Sequence, residues 1–412
     1  MRESPPSETL AAHVEKALAR RTLAGGRFFA AECERLALMC HRMAERFARG
    51  GRLIASGLSP PARSDARHVA VEFVHPVIVG KRALPALALG AEGGDLARQL
   101  DLIARPQDML IGFDAEGPQA IDTSRALSRG SERGCLTIAF APLGAEWEFL
   151  PPTQDPYVRQ ELVETFYHVL WELVHVFFEQ RGLLGRRDTR RVHDAGASSF
   201  LYPFLGEQER ELEPVLDSVR RSALMKADEV GALREQTLLE NRESLLRAAA
   251  ALRARFQKGG KLLALGNGGS ATDAMDVVAD LRAGGPSRTG RPAVDLTEDA
   301  AILTAIANDI GAEAIFQRQV IAYGEAGDAL LALSTSGESH NVIAALAEAR
   351  GRGLHTVAMV GYDGGRIAAE GLADEVVITR SEHIPRIQEA QASAYHTLVE
   401  LVELVPPGGT AA

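Results

Sequence analysis

The sequence predicts an α/β protein built from two copies of one domain, each a parallel β-sheet covered by helices on both faces. Short apolar segments alternate with helical segments of about ten to fifteen residues, which is typical of parallel sheets. A long internal repeat relates the two halves, and Gly-rich or Ser-rich turns follow two apolar segments of the second half. These three observations predict the fold class.

The repeat starts with a helix end, a Gly-Gly pair and an apolar strand. MAERFARGGRLIASG at 43–57 matches LRARFQKGGKLLALG at 252–266, so helix, glycine stop and strand follow in the same order. Further on, RPQDMLIGF parallels GEAGDALLAL, and ALSRGSERGCLTIAFAP parallels ALAEARGRGLHTVAMVG. The last helices agree best, with QELVETFYHVLWELV at 160–174 against QEAQASAYHTLVELV at 388–402. We call the two halves copy one and copy two.

The domain boundaries follow from this repeat. We expect copy one at 1–182, a linker at 183–206 and copy two at 207–405, because the intervening segment is irregular and rich in Gly and Arg. The linker holds one basic run, which consists of Arg186, Arg187, Arg190 and Arg191. We interpret this run as a solvated segment, with a surface that binds a partner as the alternative. A charged helical pattern runs from about Glu207 to Glu240 and favours packing between subunits or domains.

Composition excludes several classes of protein. The chain has 412 residues, of which 46% are hydrophobic and 24% charged, as in ordinary globular proteins. A formal net charge of -10 disfavours direct binding to nucleic acid. Three cysteines without a CxxC pair, Cys33, Cys40 and Cys135, predict a cytoplasmic protein. No run approaches the roughly 20 apolar residues of a membrane span, so no membrane partner is expected.

Two turns of copy two are candidate anion sites. In a parallel sheet, ligands bind where helix N-termini offer backbone N–H groups at the carboxyl ends of strands. The turn GNGGS adds the side chains of Asn267 and Ser270, and the turn STSGES clusters four hydroxyls: Ser334, Thr335, Ser336 and Ser339. Either turn alone is consistent with a tight connection or a helix N-cap. Together they favour a cradle for a phosphomonoester.

Five ordered motifs of copy two resemble a known family. GNGGSATDAM, AILTAIANDIGAEAIFQRQV, STSGESHNVIAAL, GYDGGRIA and RIQEAQASAYH together resemble the sugar isomerase (SIS) domain of phosphoheptose isomerases and a related replication-initiator-associating protein. The resemblance covers Glu207 to Val405 and extends more faintly to copy one. It implies two tandem SIS domains, each a five-stranded parallel sheet flanked by helices in a flavodoxin-like three-layer sandwich. It also implies a tetramer and the ketose-to-aldose isomerisation of sedoheptulose 7-phosphate through an enediol.

The resemblance also implies roles for individual residues. The phosphate is expected on Ser270, Ser334, Ser336 and Ser339, with Asn267 and Asp309 beside the sugar. Gly268, Thr335 and Gln388 are expected to complete the substrate-binding set. In the family, a His and a Glu four residues apart join the Gln and His of the last helix around zinc, with the Glu as base and that His as acid. In copy two these four positions hold Asp276, Asp280, Gln388 and His396, so Asp280 and His396 are the expected base and acid.

Copy one has the reverse pattern. Aligning Asp65 with Asp273 puts the family's His and Glu positions at His68 and Glu72, and Gln160 and His168 complete a quartet for Zn²⁺ or another divalent metal. Glu72 is thus a second candidate base, and no nucleotide cofactor is expected. Prolines replace the Gly-rich turn, however. Asp114 and Glu116 replace the Ser-rich cradle, and we expect these carboxylates to repel a phosphate.

Two hypotheses stay open about copy one. It is either a degenerate scaffold or half of a composite site in which His68 and Ser336 share a cleft. A homodimer of the fused pair would reproduce the family's tetramer. Two functions also stay open: a phosphosugar aldose-ketose isomerase, or a non-catalytic regulatory or adaptor protein that binds a phosphosugar or nucleotide sugar. No nucleophile motif supports a transferase or hydrolase.

Overall fold

The computed structural model of the protein describes residues 7–77, 81–179, 212–283 and 289–406. The expected linker and its basic run lie outside these residues. The chain divides into two compact units: one runs from residue 23 to 229, and the other holds the residues up to 22 and from 230 onward. Both boundaries fall inside long helices. The domain bounds expected from the repeat stay a prediction.

Copy one forms a five-stranded sheet of parallel strands. The strands are β1 (Leu53–Ser56), β2 (Ala86–Leu89), β3 (Met109–Gly112), β4 (Leu136–Ala139) and β5 (Trp147–Glu148). Their order is β2-β1-β3-β4-β5, and every pairing is parallel. The three inner strands are buried along their whole length, because helices cover both faces of such a sheet.

The helices of this half follow the strands in alternation. They are α1 (Ser7–Ala48), α2 (Pro60–Val74), α3 (Leu96–Ile103), α4 (Gly117–Glu132) and α5 (Pro156–Glu179), with a 3₁₀ turn at Ala91–Gly93. Pro60 begins α2, where a missing N–H costs no helical hydrogen bond. Aromatic rings of α1, α5 and the sheet pack together in the core around Phe166.

Copy two repeats this architecture. Its strands are β6 (Leu262–Leu265), β7 (Ala293–Asp295), β8 (Ala329–Ser334), β9 (His355–Gly361) and β10 (Glu375–Thr379). Their order is β10-β9-β8-β6-β7, all parallel. Read from the other edge, this is the order of copy one. The predicted fold class, two five-stranded parallel sheets flanked by helices, is confirmed.

Eight helices accompany or precede this second sheet among the described residues. They are α6 (Leu212–Glu240), α7 (Arg242–Gln257), α8 (Gly269–Ala283), α9 (Ala300–Asp309), α10 (Ile315–Tyr323), α11 (His340–Gly351), α12 (Gly365–Ala369) and α13 (Ile384–Leu404). Almost every residue of α13 between Pro385 and Val402 is buried. Within the described part of the chain, no helix combines the length and the apolar character that crossing a bilayer requires.

Candidate functional site

The two polar turns of copy two meet at one edge of the sheet. Strands β6 and β8 are direct neighbours, and parallel strands end on the same side. Asn267, in the first turn, and Asn341, at the start of α11, exchange two side-chain hydrogen bonds of 2.9 Å. The first turn can approach α8 closely because residue 266 is glycine: a Cβ there would lie 2.3 Å from the Ser270 carbonyl oxygen. The predicted proximity of the turns is therefore present.

The second turn gathers the predicted hydroxyls. Ser334 Oγ lies 3.4 Å from Ser339 Oγ and accepts the backbone N–H of Gly337 at 3.2 Å. Ser336 Oγ accepts the N–H of Glu338 at 3.2 Å. Gly337 has a φ of 66°, which favours glycine. Ser334 and Ser270 are buried, whereas Thr335, Ser336 and Ser339 are half-buried, so part of this hydroxyl cluster is accessible to a ligand.

A carboxylate and an imidazole meet between α8 and α13. Asp280 Oδ2 lies 3.4 Å from His396 Nε2, and both residues are buried. One turn earlier on α8, Asp276 Oδ2 accepts the Tyr395 hydroxyl at 3.3 Å. The four-residue spacing puts both carboxylates on one face of α8, and that face packs against α13. A buried acid and base at this separation can move a proton on a bound substrate.

Three further candidates lie on separate elements. Gln388 is buried on α13, two helical turns before His396 and so on the same face. Asp309 is exposed at the end of α9, where its carboxylate accepts a 2.7 Å hydrogen bond from Asn308. Gly268 is exposed in the first turn with a φ of 58°. The roles expected for these residues stay predictions.

Copy one brings two histidines into contact. The Nε2 atoms of His68 on α2 and His168 on α5 lie 3.2 Å apart, and both rings are buried. Burial, together with the neighbouring His168, holds the pKa of His68 well below its ordinary value. A neutral imidazole is the form that binds a metal. The two predicted histidines are therefore positioned as a ligand pair.

The third member of this group is Glu164, which the sequence analysis did not select. One ligand atom from each of His68, Glu164 and His168 lies within 4.8 Å of the others, and all three residues are buried. Glu164 precedes His168 by one helical turn, so the i,i+4 spacing on α5 was the available signal. Two imidazoles and a carboxylate are a donor set that zinc accepts, so the residues fit a divalent metal.

The remaining predicted ligands are arranged differently. Glu72 Oε1 lies 3.9 Å from His68 Nε2, and the side-chain amide nitrogen of Gln160 is buried. Among the described residues, no second trio of His, Cys, Asp or Glu meets the 4.8 Å spacing. Metal binding by the copy-two set of Asp276, Asp280, Gln388 and His396 thus stays a prediction, as does the composite site.

The cradle position of copy one is filled by its own side chain. The Asp114 carboxylate accepts hydrogen bonds from the backbone N–H groups of Leu58 and Ser59 at 2.9 and 2.8 Å. It also accepts the Thr123 hydroxyl at 2.8 Å. The other acidic residue, Glu116, pairs with Arg159 at 2.7 Å.

Comparison with known sequences relates copy two to one family. The SIS domain matches residues 227–361. A phosphoheptose isomerase of Pelodictyon phaeoclathratiforme is 40% identical over 203 residues, which are 48% of this chain and 92% of that protein. A phosphoheptose isomerase of Geobacter metallireducens is 46% identical over 156 residues, 38% of this chain and 82% of its own length. These relatives are each about half as long as this chain.

Solved structures cover both copies. The C-terminal domain of glucosamine-fructose-6-phosphate aminotransferase from Francisella tularensis aligns with a TM-score of 0.61 over 95% of this chain and 96% of its own, at 11% identity. Tagatose-6-phosphate ketose/aldose isomerase from Escherichia coli aligns with a TM-score of 0.53 over 98% and 95%, at 12% identity. At these identities the likeness shows the fold alone.

The family resemblance of the five motifs is confirmed by these matches. One phosphoheptose isomerase is 40% identical to this chain over 92% of its own length, and the SIS domain matches residues 227–361. The chain therefore belongs to the family of SIS-domain proteins related to the phosphoheptose isomerases.

Proposed function

We propose that this protein is a phosphosugar aldose-ketose isomerase with a sedoheptulose 7-phosphate-like substrate, acting in copy two. The observation that carries the proposal is the buried pair of Asp280 and His396, 3.4 Å apart. The names of the relatives support the substrate class, because phosphoheptose isomerases are 40% and 46% identical to this chain and the SIS domain matches residues 227–361 of copy two. The hydroxyl cluster of the second turn offers the donors that a phosphate monoester needs.

The proposed reaction needs only proton transfers. Asp280 removes a proton from the carbon beside the substrate carbonyl while His396 donates a proton to the carbonyl oxygen, giving an enediol. Asp280 then returns its proton to the former carbonyl carbon. His396 recovers a proton from the other enediol hydroxyl, which becomes the new carbonyl. Acid and base therefore end each cycle in their starting states.

Turnover of sedoheptulose 7-phosphate by matched variants tests this proposal. We expect His396→Ala to lower kcat by roughly 100- to 10,000-fold, the usual contribution of a general acid or base. His168→Ala, at the same helix position of copy one, is the control and is expected to keep kcat within about threefold. Absence of turnover by the wild-type protein, or an equal loss in both variants, would contradict an isomerase acting in copy two.

A non-catalytic phosphosugar-binding protein is the second candidate. One observation favours it: Asp276, where relatives are expected to have a metal-binding His, accepts the Tyr395 hydroxyl. This candidate predicts that the wild-type protein binds sedoheptulose 7-phosphate in calorimetry but leaves it unconverted after prolonged incubation, with or without added Zn²⁺. Conversion of the bound sugar would exclude it.

We also propose that copy one holds a divalent metal on His68, Glu164 and His168. The support is their mutual spacing within 4.8 Å and their burial. When bound, such an ion would act as a Lewis acid or as a structural crosslink between α2 and α5. The residues themselves contribute two neutral imidazoles and one carboxylate, which would leave a single positive charge on the occupied site.

Metal titration of the full chain tests whether Glu164 or Glu72 is the carboxylate ligand. We expect Glu164→Gln to weaken Zn²⁺ or Co²⁺ binding by roughly 100-fold or more, since even outer contacts of a metal site contribute 10- to 100-fold. The control Glu72→Gln is expected to weaken binding less than Glu164→Gln does. Stoichiometry from elemental analysis and the Co²⁺ absorption spectrum are the readouts. No bound metal, or a larger loss in Glu72→Gln, contradicts the assignment.

We propose a homodimer, which would bring four SIS-type sheets together. The support is α9, an apolar helix with the sequence AAILTAIAND and no buried residue. Ile310, directly after it, is 55% exposed. Contiguous apolar exposure of this kind usually marks an interface. We expect light scattering to give twice the chain mass for the wild type and the chain mass for Ile306→Glu. A wild-type monomer contradicts the proposal, and so does an unchanged dimer in that variant.

A further inference from the structure

Asp114 and Ser334 occupy the same position in the two copies. In copy one, Met109 on β3 pairs with Leu53 on β1, and in copy two, Ala329 on β8 pairs with Leu262 on β6. Asp114 follows Met109 by five residues, as Ser334 follows Ala329. The turns agree in conformation, because Gly117 and Gly337, three residues further on, have φ values of 73° and 66°. The carboxylate therefore stands in the place of a cradle hydroxyl.

The Asp114 carboxylate is bound as an anion would be bound. It is 1% exposed, and its two oxygens receive three donors: Leu58 N, Ser59 N and Thr123 Oγ1, at 2.8 to 2.9 Å. Leu58 and Ser59 lie between the end of β1 and the start of α2, the position that backbone N–H groups use to hold ligand phosphates in parallel sheets. An internal carboxylate thus satisfies the donors of this turn.

Copy two differs at this point. Its first turn carries exposed residues, Asn267 and Gly268, and its second turn begins with the neutral hydroxyl of Ser334, which bonds within its own turn. A serine hydroxyl brings no negative charge to the N-terminus of α8. An anion bound at this edge of copy two would therefore come from a ligand, whereas copy one supplies its own carboxylate.

We infer that Asp114 is a built-in anion that closes copy one to phosphorylated ligands, so that each chain has one phosphosugar site, in copy two. A phosphate at the copy-one turn would meet a buried carboxylate instead of free N–H groups, and both the occupied space and the like charge oppose it. This inference goes beyond the proposed isomerase activity, because it concerns anion binding and holds for a binding protein as well.

Local hydrogen exchange with anion rescue tests the inference. Pro60 and Pro61 have no N–H group, so the peptide covering residues 56–61 reports mainly on Leu58 and Ser59. In Asp114→Ala we expect these amides to exchange at least roughly tenfold faster than in the wild type, since a bond to a charged acceptor is lost. Added formate or inorganic phosphate is expected to restore the protection in Asp114→Ala and to leave the wild type unchanged.

Two more variants complete the experiment. Asp114→Asn keeps the size of the side chain without its charge, so we expect faster exchange than in the wild type and no rescue by either anion. Ser334→Ala, the matched change in copy two, should leave the exchange of residues 56–61 unaltered. If Asp114→Ala does not fold, the exchange rate of Asp114→Asn decides. Unchanged exchange in the folded Asp114 variants, or faster exchange in Asp114→Ala that neither anion reverses, would overturn the inference.

Discussion

The two copies share a sheet order but differ from each other at three corresponding positions. Copy two has hydroxyls in the second turn, where copy one has Asp114. Copy one has His68 and Glu164 around His168, whereas copy two has Asp276 and an alanine at the matching positions. Copy two has two helices, α9 and α10, between its second and third strands in sequence. Copy one has the 3₁₀ turn Ala91–Gly93 and then the single helix α3 in the corresponding segment.

This comparison teaches that the fold and the site are maintained by different residues. Buried strands and capping glycines recur in both copies because any parallel sheet of this type needs them. The polar residues at the strand ends diverge, because they affect ligand binding more than folding. Copy one therefore retains the architecture while its cradle is filled by a side chain of its own.

The largest expected difference between the copies lies in the aromatic core of copy one. Phe166 is fully buried and its ring centroid lies 4.5 to 5.9 Å from those of Phe28, Phe140 and Phe149. The matching residue of α13 is Ala394. We expect Phe166→Ala to lower the free energy of opening measured by hydrogen exchange in β3 by about 3–5 kcal/mol. The same measurement in β8 is the control. An equal decrease in the free energy of opening of β8 would mean that this aromatic core does not distinguish copy one from copy two.

The cradles provide the second test. Ser336→Ala in copy two is expected to raise KM, or Kd if the protein does not turn over, by roughly 10- to 100-fold, because a donor to a charged phosphate is removed. Glu116→Ala at the matching position of copy one should change neither value by more than about threefold. A comparable effect of both substitutions in titrations with sedoheptulose 7-phosphate would show that the copies share the ligand.

The smallest expected effect is the change in kcat when the side chain of the proposed base is lengthened. Asp280 has one methylene less than the Glu that the family resemblance implies there, and a base misplaced by about 1 Å can cost up to 100-fold in rate. We expect Asp280→Glu to raise kcat by about tenfold, as measured in a discontinuous sugar-phosphate assay. Glu72→Asp in copy one serves as the matched control with no expected change. A lower kcat in Asp280→Glu would show that the site is adapted to the shorter side chain.

Local and repeated patterns of the sequence were sufficient for the fold. The strand sequences at 53–56 and 262–265, their Gly-Gly stops and the recurring last helix predicted two similar α/β sheets, and the observed strand orders agree. The turns that contain Asn267 and Ser334 were also predicted to meet, because neighbouring parallel strands end at one edge. These features depend on periodicity and on chain order, which a sequence displays directly.

Tertiary structure decided what the polar residues contact. Glu164 joins His68 although 96 residues separate them in the sequence, and no local pattern encodes which helix faces meet. Asp114 was expected only to repel a phosphate, yet the fold brings the N–H groups of Leu58 and Ser59 to its carboxylate. The sequence by itself determined the duplicated sheet and its polar turns. Only packing between distant segments decided which donors and acceptors satisfy one another, because buried polar groups take their partners from whichever element lies nearest in space.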